Sequence, residues 1–315
     1  MSGLALGAAV SAAGWWTFPT PALSPPAQVL GVFGPLATAV PVGFAGPAVM
    51  SATALGVSGV AVWAAGSPVL RQRWWSWAVI LPVTWLVLVC GPATTAAFAA
   101  AVGLVAAREF ARLVGSSPAE RFIVAGGAIG APLLAWLSPD LLRWAPLVLV
   151  VSAVPAVLAG DTRDGLQRAA LTAFGTLWIG WALAHLVLGW QQAYLIVLAV
   201  AAADVGAWCA GTGLRRFAWA GAPLTPVSPG KTRGGLLGSV LGAATVLILA
   251  GRPEIGLILV VGLGAVVGDL IESLAKRSAG VKDAGSWLPG FGGMLDRIDS
   301  LLVVLPVAAA VTTGL

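Results

Sequence analysis

The chain has 315 residues, of which 59% are hydrophobic and only 9% are charged, and its formal net charge is +5. This composition excludes an ordinary soluble globular domain, in which about a quarter of the residues are charged. Because the basic residues lie in short connections between apolar segments, the positive charge favours contact with lipid headgroups or phosphates over nucleic-acid binding.

We therefore expect an all-α, polytopic membrane protein. A spanning helix needs about 20 apolar residues, so the length allows roughly nine to twelve transmembrane helices. Unpaired strand edges cannot satisfy their backbone groups in lipid, which leaves helices as the expected element throughout.

The first part of the chain carries no charged side chain before Arg71. We interpret residues 1–66 as an apolar N-terminal extension with two or three membrane segments, and residues 67–315 as the main transmembrane domain. Nine further apolar segments follow, at about 75–92, 94–114, 122–138, 144–160, 168–188, 193–212, 234–251, 255–275 and 298–315.

The distribution of cations predicts an orientation. With nine spans after Arg71, the connections rich in Arg or Lys all fall on one side of the membrane: 67–74, 113–122, 161–168, 213–233 and 276–297. Basic loops stay in the cytoplasm. The sequence therefore predicts a polar active site that faces the cytoplasm. We expect the membrane to be a bacterial-type inner membrane.

The stretch 268–300 holds five of the chain's twelve acids. Asp269, Glu272 and Ser273 are spaced i, i+3, i+4, and Lys276 continues the same helix face. For Glu272 and Lys276 a structural ion pair is the favoured interpretation. For Asp269 we favour a functional role, because carboxylates near membrane helix ends usually face a partner or a wet cavity.

A second acidic pair, Asp296 and Asp299, opens the last apolar segment after a glycine-rich run. Backbone N–H groups of such a loop can approach an anion. Carboxylates repel phosphates unless a cation lies between them, and hard oxygen ligands beside phosphate are typical of Mg²⁺.

Upstream of these acids lie three further polar groups. The Gly-Lys-Thr at 230–232 is not a P-loop, because no strand precedes it and Thr225 occupies the position of the motif's first glycine. We interpret this segment as a flexible basic loop that could bind phosphates. Asp204 is an intramembrane acid, for which function is the default. Glu109, between Arg108 and Arg112, either pairs with an arginine or lies at the headgroups.

Several of these residues together resemble phosphatidate cytidylyltransferases, also called CDP-diacylglycerol synthases. The resemblance covers roughly 70–315 and is carried by Asp204-x-Gly206-Ala207, Ser228-Pro229-x-Lys231-Thr232-x-x-Gly235, more weakly by Arg108-Glu109-Phe110, and above all by Ser273-x-x-Lys276-Arg277-x4-Lys282-Asp283-x5-Pro289-Gly290-Phe291-Gly292-Gly293-x-x-Asp296-Arg297-x-Asp299. Two positions depart from the family's usual residues: Phe291 replaces a His and Arg233 replaces a Trp.

The resemblance implies transfer of CMP from CTP to phosphatidate, giving CDP-diacylglycerol and pyrophosphate in phospholipid biosynthesis. It implies Mg²⁺, with Mn²⁺ as a substitute, and a second, monovalent cation such as K⁺. The expected partners are CTP, phosphatidate and the bilayer, with no nucleic acid; a homodimer is allowed.

The implied site residues fall into three groups. The catalytic group is Asp269, Lys282, Asp283, Asp296 and Arg297; the substrate-binding group is Asp204, Ser228, Lys231, Thr232, Ser273, Lys276 and Arg277; the metal ligands are Asp269, Asp283, Asp296 and Asp299. Asp269 and Asp296 are the first choices for Mg²⁺.

Three alternatives stay open at this point. A CTP-dependent enzyme could act on another lipid phosphate, with the same headgroup chemistry. An ion-coupled transporter could bind a cation at Asp204 and Asp269. An inactive relative is the third, because of Phe291.

Overall fold

The computed structural model describes residues 42–281 and 292–313, and in these residues the fold is all-α. The described part contains no β-strand; one isolated bridge joins Pro223 and Thr232. The α-helices are α1 (Val42–Ala64), α2 (Pro68–Val89), α3 (Pro92–Leu113), α4 (Pro118–Leu137), α5 (Leu147–Leu158), α6 (Gly165–Gly175), α7 (Ala182–Leu188), α8 (Trp190–Gly213), α9 (Ala218–Gly221), α10 (Arg233–Leu249), α11 (Ile255–Ser278) and α12 (Leu295–Thr313). A 3₁₀ turn (Pro139–Trp144) precedes α5, and a π turn (Thr176–Trp181) joins α6 to α7.

Five helical stretches are long and apolar enough to cross a membrane: Gly43–Ala64, Pro118–Leu137, Gly165–Leu188, Trp190–Gly213 and Ile255–Ser278. Large apolar side chains such as Val60, Leu249 and Ile255 are more than 70% exposed on outward faces, as lipid contact requires. The all-helical membrane fold is confirmed to this extent. The count of nine to twelve spans stays a prediction.

Each of the nine apolar segments predicted after Arg71 contains most of a helix, but several helices begin earlier than expected. Helix α2 begins at Pro68, where Ser67 caps the first turn, so that Arg71 lies in the helix rather than in the preceding loop. Helix α4 begins at Pro118 behind a capping box of Ser117 and Glu120. Local capping chemistry extends these helices beyond their apolar cores.

Helix α8 lies at the centre of the bundle and packs most closely against α10. Gly206 and Gly238 face each other at this crossing, and a Cβ on either one would overlap the backbone carbonyl of the other. Small residues of this kind let membrane helices approach closely. The crossing fixes the Asp204 end of α8 beside the loop that leads into α10.

The N-terminal helix α1 docks on the other end of α8. Phe44 stacks on Trp190 with ring centroids 5.7 Å apart, and the buried Tyr194 hydroxyl donates to Ser51 Oγ at 2.8 Å. Helix α1 belongs to the predicted N-terminal extension. Residues 1–41, where its other segments were predicted, lie outside the described residues.

Candidate active site

One face of α11 supplies the centre of the site. Asp269, Glu272, Ser273 and Lys276 follow one another along it, as their spacing predicts. Ser273 Oγ donates to Asp269 Oδ1 at 3.4 Å, and Lys276 Nζ donates to Glu272 Oε2 at 2.5 Å. Glu272 is only 1% exposed. The predicted ion pair between Glu272 and Lys276 is therefore present, but it is buried.

Helix α12 brings two more acids to this face. Asp296 Oδ1 accepts from Lys276 Nζ at 2.7 Å, and its Oδ2 accepts from the Gly293 N–H at 2.7 Å. Asp299, one turn later, is buried and accepts from the Ser300 N–H at 2.7 Å. Lys276 thus bridges a carboxylate of each helix.

The close approach of α11 and α12 depends on Gly268. A Cβ at this position would lie 2.7 Å from Ser300 Cα and would overlap the Asp299 carbonyl oxygen. Real Cβ atoms do not occupy such positions, so a larger residue would push the two helices apart. Asp269 directly follows Gly268 in the chain. Gly268 therefore sets how near Asp299 lies to Asp269.

Three carboxylates converge at this point. Oxygens of Asp269, Glu272 and Asp299 all lie within 4.8 Å of one another. Glu272 Oε1 is buried and has no hydrogen-bond partner among the described residues. A buried, unpaired carboxylate oxygen is costly. The donor set and the orphaned oxygen fit a hard divalent cation such as Mg²⁺.

The basic loop before α10 closes the other side. Lys231 Nζ pairs with Asp269 Oδ2, and the Lys231 N–H donates to the Ser228 carbonyl at 3.0 Å. Thr232 is buried and its Oγ1 accepts from the Gly235 N–H at 3.2 Å, which caps α10. Asp204 lies within electrostatic range of Lys231, Asp269 and Arg297.

The structure thus brings most of the predicted site residues together from α8, the basic loop, α11 and α12. The group contains five carboxylates and three cationic side chains: Asp204, Asp269, Glu272, Asp296 and Asp299, with Lys231, Lys276 and Arg297. The formal surplus of two negative charges suits a divalent cation.

Other predicted residues lie at the edge of this group or outside the described residues. Arg277 is exposed, and its Nη1 donates to the Val281 carbonyl at 3.4 Å. Arg297, which is counted in the group above, is exposed as well. Lys282, Asp283 and Phe291 lie outside the described residues, and the roles of Lys282 and Asp283 stay predictions.

Two functional candidates were absent from the predicted site. Glu272 was interpreted only as the partner of Lys276, although its i+3 spacing from Asp269 was the available signal. Glu109 was assigned to arginine pairing or headgroups. It is instead buried and accepts from the N–H groups of Met294 and Leu295 at 3.0 and 2.8 Å. No local pattern predicts a contact across 185 residues.

A second ionic network lies on α4 and α6. Glu120, 2% exposed, accepts from Arg168 Nε at 2.9 Å and from the Ser117 N–H at 2.7 Å. Arg168 also pairs with Asp161 at 3.3 Å. The Asp164 N–H, together with Arg168, holds the pKa of the Asp161 carboxyl below its ordinary value. Every carboxylate oxygen of Glu120 has a partner, so this network indicates stability rather than chemistry.

Comparison with known proteins identifies the family. The family description "Cytidylyltransferase family" matches residues 71–314. A protein of Escherichia coli (strain K12) named "Uncharacterized protein YnbB" is 29% identical over 266 residues, which cover 77% of this chain and 86% of the relative.

Two relatives with named activities match over shorter stretches. The phosphatidate cytidylyltransferase of Mycobacterium leprae is 37% identical over 134 residues, 40% of this chain and 41% of the relative. The phosphatidate cytidylyltransferase of Helicobacter pylori (strain ATCC 700392 / 26695) is 43% identical over 117 residues, 34% of this chain and 41% of the relative. The chain thus spans about two fifths of the length of these two relatives. Since the family description covers most of the residues from Arg71 onwards, the chain belongs to the cytidylyltransferase family.

Proposed function

We propose that this protein transfers CMP from CTP to phosphatidate, giving CDP-diacylglycerol and pyrophosphate. The observation that carries the proposal is the buried, unpartnered Oε1 of Glu272 among three carboxylates, with Lys231 and Lys276 beside them. This arrangement suits cations and phosphates together. The names of the Mycobacterium and Helicobacter relatives supply the substrates.

Asp269, Glu272 and Asp299 would hold Mg²⁺. Asp296, a first choice from the sequence together with Asp269, and Asp283 stay predicted ligands. When bound, the cation would withdraw charge from phosphate oxygens and help to orient them. Mn²⁺ as a substitute, and a second cation such as K⁺, remain part of the proposal.

The cationic side chains would hold the two polyanionic substrates. Lys231 and Lys276 each already contact a carboxylate, so each can exchange that partner for a phosphate without moving far. Arg277, Lys282 and Arg297 would hold the outer phosphates, and Ser228, Thr232, Ser273 and Asp204 stay the further substrate-binding residues predicted from the sequence.

The bond changes follow from the reactants. An oxygen of the phosphatidate monoester attacks the α-phosphorus of CTP, and the bond from that phosphorus to the bridging oxygen breaks. Pyrophosphate leaves with the electron pair. A phosphate monoester is already an anionic nucleophile at neutral pH, so the protein's task is to neutralise charge and hold geometry rather than to supply a strong base.

The membrane setting follows the same proposal. The proposed site faces the cytoplasm of a bacterial-type inner membrane, which the basic connections between the apolar segments favour, and the acyl chains would stay in the bilayer. The division into an extension, residues 1–66, and a catalytic domain, residues 67–315, stays a prediction. The homodimer stays a prediction.

The transporter alternative is not favoured. Transport sites in membranes typically lie on broken helices near the midplane. Asp204 and Asp269 instead lie on α8 and α11, which are continuous from Trp190 to Gly213 and from Ile255 to Ser278. Membership of a cytidylyltransferase family points the same way.

The test is a turnover assay with purified protein, labelled CTP, phosphatidate and Mg²⁺. We expect labelled CDP-lipid from the wild type and a loss of about 100- to 1,000-fold in Asp269→Asn, because charge stabilisation at the phosphates disappears. Asp140→Asn is the matched control, since Asp140 is exposed on the 3₁₀ turn outside the site. A parallel arm with polyprenyl phosphate distinguishes the lipid. No CDP-lipid from the wild type, or equal turnover in Asp269→Asn, would overturn the proposal.

A further inference from the structure

Glu109 on α3 is a buried carboxylate whose contacts reach the start of α12. It is 5% exposed, and its two oxygens accept from two consecutive backbone N–H groups, Oε1 from Met294 at 3.0 Å and Oε2 from Leu295 at 2.8 Å. Both contacts join segments that are far apart in the chain. They tie α3 to the helix that carries Asp296 and Asp299.

The chemistry of this contact makes it a strong clamp. The first N–H groups of a helix have no partner within the helix, and the positive end of the helix dipole lies there. A carboxylate that accepts from backbone N–H groups forms charge-assisted bonds, which are about twice as strong as neutral ones. A single side chain therefore satisfies two otherwise unpaired donors.

The glycine at position 293 lets the loop before α12 lie close to Glu109. A Cβ on Gly293 would lie 2.7 Å from Glu109 Oε2, so a larger residue there would displace the carboxylate or the loop. The N–H group of the same Gly293 donates to Asp296 Oδ2. The segment 293–296 therefore carries both the N–H groups that Glu109 binds and the site carboxylate of Asp296. A movement of this segment would displace both.

We propose that Glu109 is a positioning residue that sets the separation of the α12 acids from the α11 acids. Asp296 reaches Lys276, and Asp299 reaches the Asp269 and Glu272 carboxylates, only while the start of α12 stays in place. Only the comparison with CDP-lipid formation rests on the proposed function. The main measurement is the affinity for a metal ion, which does not depend on it.

The test measures Mn²⁺ binding directly, by electron paramagnetic resonance on detergent-purified protein without substrates, for wild type, Glu109→Ala and Glu109→Gln. We expect Mn²⁺ affinity to fall roughly 10- to 100-fold in Glu109→Ala, the usual effect of removing a group that orients metal ligands. Glu109→Gln should restore part of it, because the amide oxygen accepts one of the two bonds.

The matched control is Glu120→Ala. Glu120 is also a buried glutamate that accepts a backbone N–H at a helix start, but it lies on the α4 and α6 network. Its removal should lower the unfolding temperature and leave Mn²⁺ affinity unchanged. A general loss of stability is thereby separated from a change in the positions of the acids.

The outcomes are distinct. Wild-type Mn²⁺ affinity in a folded Glu109→Ala, or the same loss in Glu120→Ala, would overturn the positioning role. If neither Glu109 variant folds, Gly293→Ala displaces the carboxylate from the loop side and decides the matter by the same measurement. A wild type that binds Mn²⁺ but makes no CDP-lipid would overturn the proposed function and leave this inference standing.

Discussion

Glu272 and Glu120 are both buried glutamates with a basic partner, yet their surroundings differ in one respect. Glu120 uses both oxygens, one for Arg168 and one for the Ser117 N–H. Glu272 accepts from Lys276 through Oε2, and its Oε1 has no hydrogen-bond partner among the described residues. Their exposed fractions, 2% and 1%, are nearly the same, so burial does not explain the difference.

The difference teaches where this protein accepts a cost in stability. Leaving one buried acceptor unpaired costs about 1–3 kcal/mol, and more for a charged group. Proteins tolerate such local conflicts mainly at functional sites. The Glu120 network holds α4 and α6 together, whereas the Glu272 cluster keeps an oxygen available for a ligand.

Among the variants that test this comparison of Glu272 with Glu120, Glu272→Gln should have the largest effect. The amide keeps the shape but removes a negative charge from the three-carboxylate cluster, so turnover should fall by about 10- to 100-fold and the Mg²⁺ concentration for half-maximal rate should rise. Stability should stay the same or increase, because the repulsion among three neighbouring carboxylates is reduced while the amide oxygen can still accept from Lys276. The measurements are an Mg²⁺ titration of turnover and thermal unfolding in detergent. Unchanged Mg²⁺ dependence would show that Glu272 is only the partner of Lys276.

The sequence was sufficient for the class of fold and for the grouping of candidate residues on one face of α11, because both depend on local pattern. Apolar runs predicted the helices, and the i, i+3, i+4 spacing predicted that Asp269 and Ser273 share a face. Capping positions such as Ser67 shifted the helix starts, since a cap adds a turn that hydropathy does not mark.

What the sequence could not supply was the convergence of distant segments. The contact from Glu109 to Leu295 and the approach of Gly268 to Ser300 depend on how α3, α11 and α12 pack. Glu272 was underrated for a related reason: its local pair with Lys276 was visible in the spacing, whereas the position of Asp299 beside it was not.

A smaller effect should follow from Gly268→Ala, which tests the cluster without touching a carboxylate. The added Cβ would meet the backbone of Asp299 and Ser300, and overpacking of this kind costs about 1–3 kcal/mol. The helices should separate at Asp299, so turnover should fall about tenfold, in keeping with the sensitivity of metal sites to their supports.

Gly256→Ala is the control for this variant. Gly256 also lies on α11 and faces α12, but its Cβ would meet only the tip of the Val311 side chain, at 3.3 Å. It should retain turnover. If both variants lose turnover equally, then helix packing in general, and not the approach of Asp299 to Asp269, limits the activity.

The smallest effect on stability should come from Asp161→Asn, a change in the Glu120 network, in which every carboxylate oxygen of Glu120 has a partner. Because the pKa of Asp161 is lowered by the Asp164 N–H and Arg168, its charged form favours the folded state above the ordinary pKa of about 3.9 and loses this contribution as the pH falls through the lowered value. Wild type should therefore unfold at a slightly higher temperature than the variant at neutral pH, and the two curves should converge in acid, with turnover unchanged. Asp164→Asn, which keeps the backbone N–H and whose side chain forms no cap, should follow the wild type. If the unfolding temperatures of wild type and Asp161→Asn differ by the same amount at every pH, then packing and not the charge of Asp161 causes the difference.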